Sequence, residues 1–98
     1  MASVQVSRQG DGTFRVDVGA EGTSTRHVVS VAAGYQAELG WAGVRTEALI
    51  EASFGFLLQR EPATSILTRF SLDQIERYFP EYRREMAGQA RRGQEGAR

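Results

Sequence analysis

The side chains able to do chemistry are few and widely spaced. His27 is the only histidine among 98 residues, and there is no cysteine. A thiolate nucleophile and disulfides are therefore excluded. A structural or catalytic zinc centre, which needs several thiolate or imidazole ligands close together, lacks its ligands. No Asp-x-Asp-x-Asp loop offers a carboxylate-only alternative. A Ser-His-Asp relay would have to use His27 as its base, and the chain contains no Gly-x-Ser-x-Gly elbow. In its strand context His27 is expected to be an ordinary polar or semi-buried residue. The other acid–base candidates are Glu38, Glu47, Glu51 and Glu61. Glu47 and Glu51 lie one helical turn apart on a polar face, where carboxylates are normally solvated. No catalytic residue, metal or cofactor is expected.

Binding chemistry offers more. Arg83, Arg84, Arg91 and Arg92 form the one basic cluster, and the rings of Tyr78 and Tyr82 nearby could stack on bases as single-strand binders do. Glu81, Glu85 and Glu95 interleave with these cations. Residues 1–80 hold seven arginines against nine carboxylates, and residues 81–98 hold five against three. An excess of two is small for salt-sensitive phosphate binding, and the whole chain has a formal net charge of zero, unlike a dedicated nucleic-acid domain. Gly10-Asp11-Gly12 leads into a strand rather than a helix, so it is a hairpin turn and not a phosphate cradle. A helix-turn-helix would need helices 46–59 and 71–79 to be joined by three or four residues, and about ten separate them. Trp41, in a glycine-flanked loop, either caps the core or anchors an interface. The candidate interaction surface is Trp41, Arg77, Tyr78, Tyr82, Arg83 and Arg84.

Positioning these residues falls to elements visible in the pattern. Val4 and Val6, then Phe14, Val16 and Val18, alternate with polar neighbours at the period of half-buried strands. Gln9–Gly12 and Gly19–Gly22 have turn composition. In the third strand Thr25, His27, Val29 and Val31 share one face, and Arg26, Val28 and Ser30 the other. Residues 32–39 suit a short helix with Tyr35 and Leu39 on one side. A longer helix is expected from about Thr46, its N-cap, to Gln59. Leu49, Ile50, Ser53, Phe54, Leu57 and Leu58 make its apolar stripe, Phe56 lies off the stripe's centre, and Gly55 is placed to permit close packing on the sheet. Pro62 ends it. Ser71 with Gln74 has capping-box spacing for a short helix, in which Leu72, Ile75, Tyr78 and Phe79 face inward. Pro80 ends that helix or opens the next, which carries Tyr82 and Met86. Tyr78 and Tyr82 are expected to be partly exposed and Phe79 buried.

The segment Ser65-Ile66-Leu67, Phe70-x-Leu72, Ile75 and Tyr78-Phe79-Pro80-Glu81-Tyr82, following a helix that ends in Leu57-Leu58-Gln59-Arg60-Glu61-Pro62, resembles a family of small uncharacterised bacterial proteins. The resemblance covers most of residues 4–86. It implies a coherent fold with an N-terminal β region and a bacterial cytoplasmic setting, and it carries no activity or site residues.

The expected architecture is α+β: a three-stranded antiparallel meander followed by three or four helices packed on one face. Residues 1–87 would form a single domain and 88–98, which lack large apolar residues, a flexible C-terminal tail. The first residues show no charged region followed by an apolar run, so no signal peptide is expected. No apolar stretch approaches the ~20 residues of a membrane span, and cytoplasmic location is the default. The leading functional expectation is a non-catalytic interaction module that binds another protein or a copy of itself. The alternatives are a nucleic-acid-associated protein using the C-terminal Arg/Tyr segment, and a small-molecule binder or enzyme with a carboxylate pocket.

Overall fold

The computed structural model describes residues 2–20 and 22–96, with side chains described through residue 92. Strands β1 (Ala2–Gly10), β2 (Thr13–Ala20) and β3 (Thr23–Ser30) form the antiparallel meander. Phe14, Val16, Val18, His27 and Val29 are buried on one face, as the period-2 pattern requires. On the other face Arg26 donates to Asp17 at 2.9 Å. That hydrogen bond holds the Asp17 carboxyl below the usual carboxylate range.

The sheet has a fourth strand, which corrects the three-stranded expectation. β4 (Arg69–Ser71) pairs parallel to β3, with Phe70 opposite Val29, and the strand order is β1-β2-β3-β4. A parallel neighbour needs a long crossover. Here the crossover contains helices α1 (Tyr35–Glu38) and α2 (Thr46–Leu58) and a 3₁₀ turn at Ala63–Ser65. Ser71 ends β4, and its N–H donates to Gln74 Oε1 at 2.8 Å, the expected capping-box contact. A 3₁₀ turn (Leu72–Gln74) then leads into α3 (Ile75–Tyr78), and α4 runs from Tyr82 to Gly96. α4 therefore continues past residue 87, where the domain was expected to end, and Ala90 packs partly buried against the core. Ala97 and Arg98, the last residues of the expected tail, lie outside the described residues.

Helix α2 is the centre of the core. Ile50 and Phe54 are fully buried, and the Phe54 ring lies 5.3 Å from that of His27 and 6.0 Å from that of Phe70. Phe56, off the expected stripe, is buried as well, edge-on to Phe79 at 5.9 Å and to Tyr82 at 5.2 Å. The helix is covered by the sheet on one side and by α3 and α4 on another, so its apolar arc is wider than a single stripe. Arg60 caps this arc, its guanidinium 3.6 Å from the Phe56 ring centre.

Two local expectations at α2 are corrected. Its N-cap is Arg45 rather than Thr46. The Thr46 hydroxyl is drawn away to Gln36 Oε1 at 2.7 Å, while Gln36 donates back to the carbonyls of Trp41 and Val44. Gly55 is exposed, and a Cβ built there meets nothing within 4 Å, so it serves no close approach to the sheet. Gly55→Ala is expected to raise stability by about 0.5–1 kcal/mol, because alanine removes backbone entropy from the unfolded chain in a helix that accepts it without strain. Chemical denaturation with an unchanged slope checks this. No helix among the described residues is long and apolar enough to cross a membrane.

Candidate functional site

The six residues of the expected interaction surface separate into two groups. Tyr82 is fully buried, which overturns its expected partial exposure. Ser53 Oγ donates to the Leu49 carbonyl at 2.8 Å, so the Tyr82 hydroxyl is the donor in its 2.7 Å contact with Ser53 Oγ. Burial pushes ionisation of this phenol well upward. Trp41 is also a core residue, 8% exposed, and its indole N–H donates to the Met86 carbonyl at 2.8 Å. It ties the loop after α1 to α4 and is not available as a surface anchor.

Tyr78, Arg77, Arg83 and Arg84 are exposed. Pro80 explains why Tyr78 and Tyr82 part company. α3 ends at Tyr78 and α4 begins at Tyr82, so their spacing of four is not one turn of one helix. Helical phase restarts after Pro80, with Tyr82 and Met86 turned into the core. Arg83 is engaged locally, 3.2 Å from Glu76 and 3.5 Å from Glu38. Glu76 also accepts from the Tyr35 hydroxyl at 2.8 Å. Burial, reinforced by this carboxylate, raises the Tyr35 phenol well above its ordinary value.

The acid–base candidates do not converge. Glu38 pairs with Arg83, Glu51 is exposed on α2, and Glu47 and Glu61 are half-buried on separate segments. Among the described residues no group of three His, Asp or Glu side chains could hold a metal ion. His27 is buried more deeply than expected and acts as a structural clamp. Its Nδ1 lies 2.8 Å from the Leu67 carbonyl and its Nε2 lies 2.9 Å from Thr25 Oγ1. A carbonyl can only accept, so Nδ1 carries a proton, and the contact fixes the chain just before β4. Asp11 and Gly12 form the β1–β2 hairpin turn, with Gly12 at a φ of 69°.

An apolar concavity of the surface lies at the β4 edge. A groove of about 240 Å³ opens between the C-terminal end of α2, the segment before β4, and α3. Leu57, Ile66, Phe70 and Ile75 form buried walls, while Leu67 and Tyr78 stand 47% and 66% exposed at its mouth. Pro62 ends α2 and sends the chain back along the groove in extended geometry at Pro62 and Ile66. With Ile66 directed inward, its neighbour Leu67 faces outward. Glu61 is the one charged side chain in the lining, beside the polar Ser65 and Gln74. Tyr78 is the one member of the expected surface that this groove includes. Of the rest of the lining, the sequence pattern places Leu57, Ile75 and Phe79 on inward faces, and the adjacent large pair Ile66-Leu67 is the available signal for a groove: in an extended stretch two consecutive residues cannot both face one core.

No protein-family model matches this chain, and neither a curated protein nor a solved structure gives a significant match. The site rests on its geometry alone.

Proposed function

We propose that this chain is a non-catalytic interaction module whose groove beside β4 receives a large apolar side chain from a protein partner. One observation carries the reading. Among the described residues three large apolar side chains are exposed, Val44, Leu67 and Tyr78, and two of them line the same concavity. Exposed apolar side chains scattered singly need no explanation, but paired at the mouth of an apolar groove they fit a docking site. Glu61 at the rim favours a partner with a cation next to its apolar residue.

The two alternatives draw less support. A nucleic-acid interface would lose Tyr82 to the core and Arg83 to Glu38 and Glu76, which leaves Tyr78 as the one exposed ring of the expected pair for stacking. A carboxylate-based enzyme would need two convergent acid–base groups, and the groove lining contains one carboxylate.

Selection from a displayed random-peptide library should enrich sequences carrying a large apolar residue beside Arg or Lys. The selected peptides should shift the amide resonances of residues 65–71 and 74–79. Leu67→Asp should weaken binding by at least about tenfold, because it places a charge where an apolar group must be buried. Peptides that bind but shift resonances elsewhere, or binding indifferent to Leu67→Asp, would remove the groove as the site.

A further inference from the structure

The sheet has a second edge, far longer than β4. β1 spans nine residues and pairs on one side only, with β2. Such an edge normally carries a device that blocks further pairing: a proline, a charge, or a bulge. In β1 the charge and the bulge lie at the end, and α2, which packs against this strand, leaves Ser3, Gln5 and Ser7 exposed. The first charge is Arg8, held 4.9 Å from the Phe14 ring centre, and the register irregularity falls between Arg8 and Gly10. Ser3 to Ser7 are regular in register and uncharged.

These five residues, Ser3-Val4-Gln5-Val6-Ser7, read the same in both directions. A two-fold axis through an antiparallel strand pair imposes that condition, since residue i must fit residue j and j must fit i. Centred on Gln5, pairing with a copy sets Ser3 opposite the partner's Ser7, Val4 opposite the partner's Val6, and Gln5 opposite the partner's Gln5. Val4 and Val6 lie on the core side but are only partly buried, whereas Val18 and Val16, their neighbours on β2, are fully buried. The partner's valines would continue that apolar row. Serine and glutamine side chains on the other face can donate and accept across the pair. The zero net charge of the chain opposes no such approach.

We propose that the occupant of the β1 edge is a second copy of this chain, paired antiparallel about Gln5, so that two four-stranded sheets become one. The surface is independent of the groove beside β4, at the opposite edge.

Light scattering after gel filtration, from about 5 to about 500 μM, should show the mass rising from 10.8 kDa toward twice that value. Gln5→Glu sets like charges face to face and should shift the midpoint upward severalfold or more, with an unchanged circular-dichroism spectrum. Leu67→Asp should leave the midpoint where it is. Thiols report the register in a chain that has none of its own. At Gln5→Cys the paired Cα atoms would lie about 5 Å apart and should oxidise readily to a covalent dimer, while at Ser7→Cys they would lie about 14 Å apart and should not. A 10.8 kDa species at every concentration overturns the proposal. So does a dimer moved by Leu67→Asp and not by Gln5→Glu, and so does Ser7→Cys crosslinking as fast as Gln5→Cys.

Discussion

Tyr82→Ala is expected to lower the unfolding free energy by about 3–5 kcal/mol, the cost of emptying a large aromatic site in a core that only partly collapses. In a domain of this size that corresponds to a fall in Tm on the order of 20 °C. Tyr82 is fully buried, edge-on to Phe56, with its hydroxyl on Ser53. Were it a surface residue, the change would stay within about 0.5 kcal/mol. The hydroxyl can be separated from the ring. Tyr82→Phe removes a donor but leaves Ser53 donating to Leu49, so the expected cost is about 1 kcal/mol. Ser53→Ala leaves the phenol buried without its acceptor and should cost more, about 1–3 kcal/mol. Thermal and urea denaturation of the three variants measures the order. Equal costs for Tyr82→Phe and Ser53→Ala would contradict the assigned direction of this hydrogen bond.

Trp41→Ala should cost a comparable amount, about 3–5 kcal/mol, by a different route. The indole joins the loop after α1 to α4 through the Met86 carbonyl. Removing it should raise amide hydrogen exchange in α4 and in residues 39–45 before it raises exchange in β2. Trp41→Phe should cost closer to about 1 kcal/mol, since a carbonyl inside a helix also accepts from the amide four residues on. Trp41 is the single tryptophan, so its emission in the wild-type chain should be blue-shifted and move red on unfolding. Emission already at the solvent-exposed wavelength in the native state would refute its burial. Tyr82 and Trp41 both stabilise α4, so the double variant should depart from additivity.

The two proposed surfaces lie at the two ends of one sheet. β1 is uncharged from Ser3 to Ser7, and β4 borders an apolar groove. The two proposals can fail separately, because Leu67→Asp tests one edge and Gln5→Glu the other.

Much of this fold was legible in the residue order alone. The β1–β2–β3 meander follows from period-2 alternation and glycine turns, and α2 from its apolar spacing and its stop at Pro62. The capping contact between Ser71 and Gln74 follows from their spacing. These are local patterns, set by backbone geometry within a few residues. Three features were not legible in that way. β4 is three residues long with one apolar side chain, and it exists because β3 and the His27 clamp hold it from about forty positions earlier. Phe56 lies off the stripe and is buried because α3 and α4 cover a second side of α2, which no single-helix period reveals. Tyr78 and Tyr82 look like neighbours on one face, and only the break at Pro80 and the docking of α4 send one ring to the groove and the other to the core. Local sequence determined the meander and the helices, but not β4. Tertiary packing decided which faces remain open, because exposure depends on what arrives from distant parts of the chain.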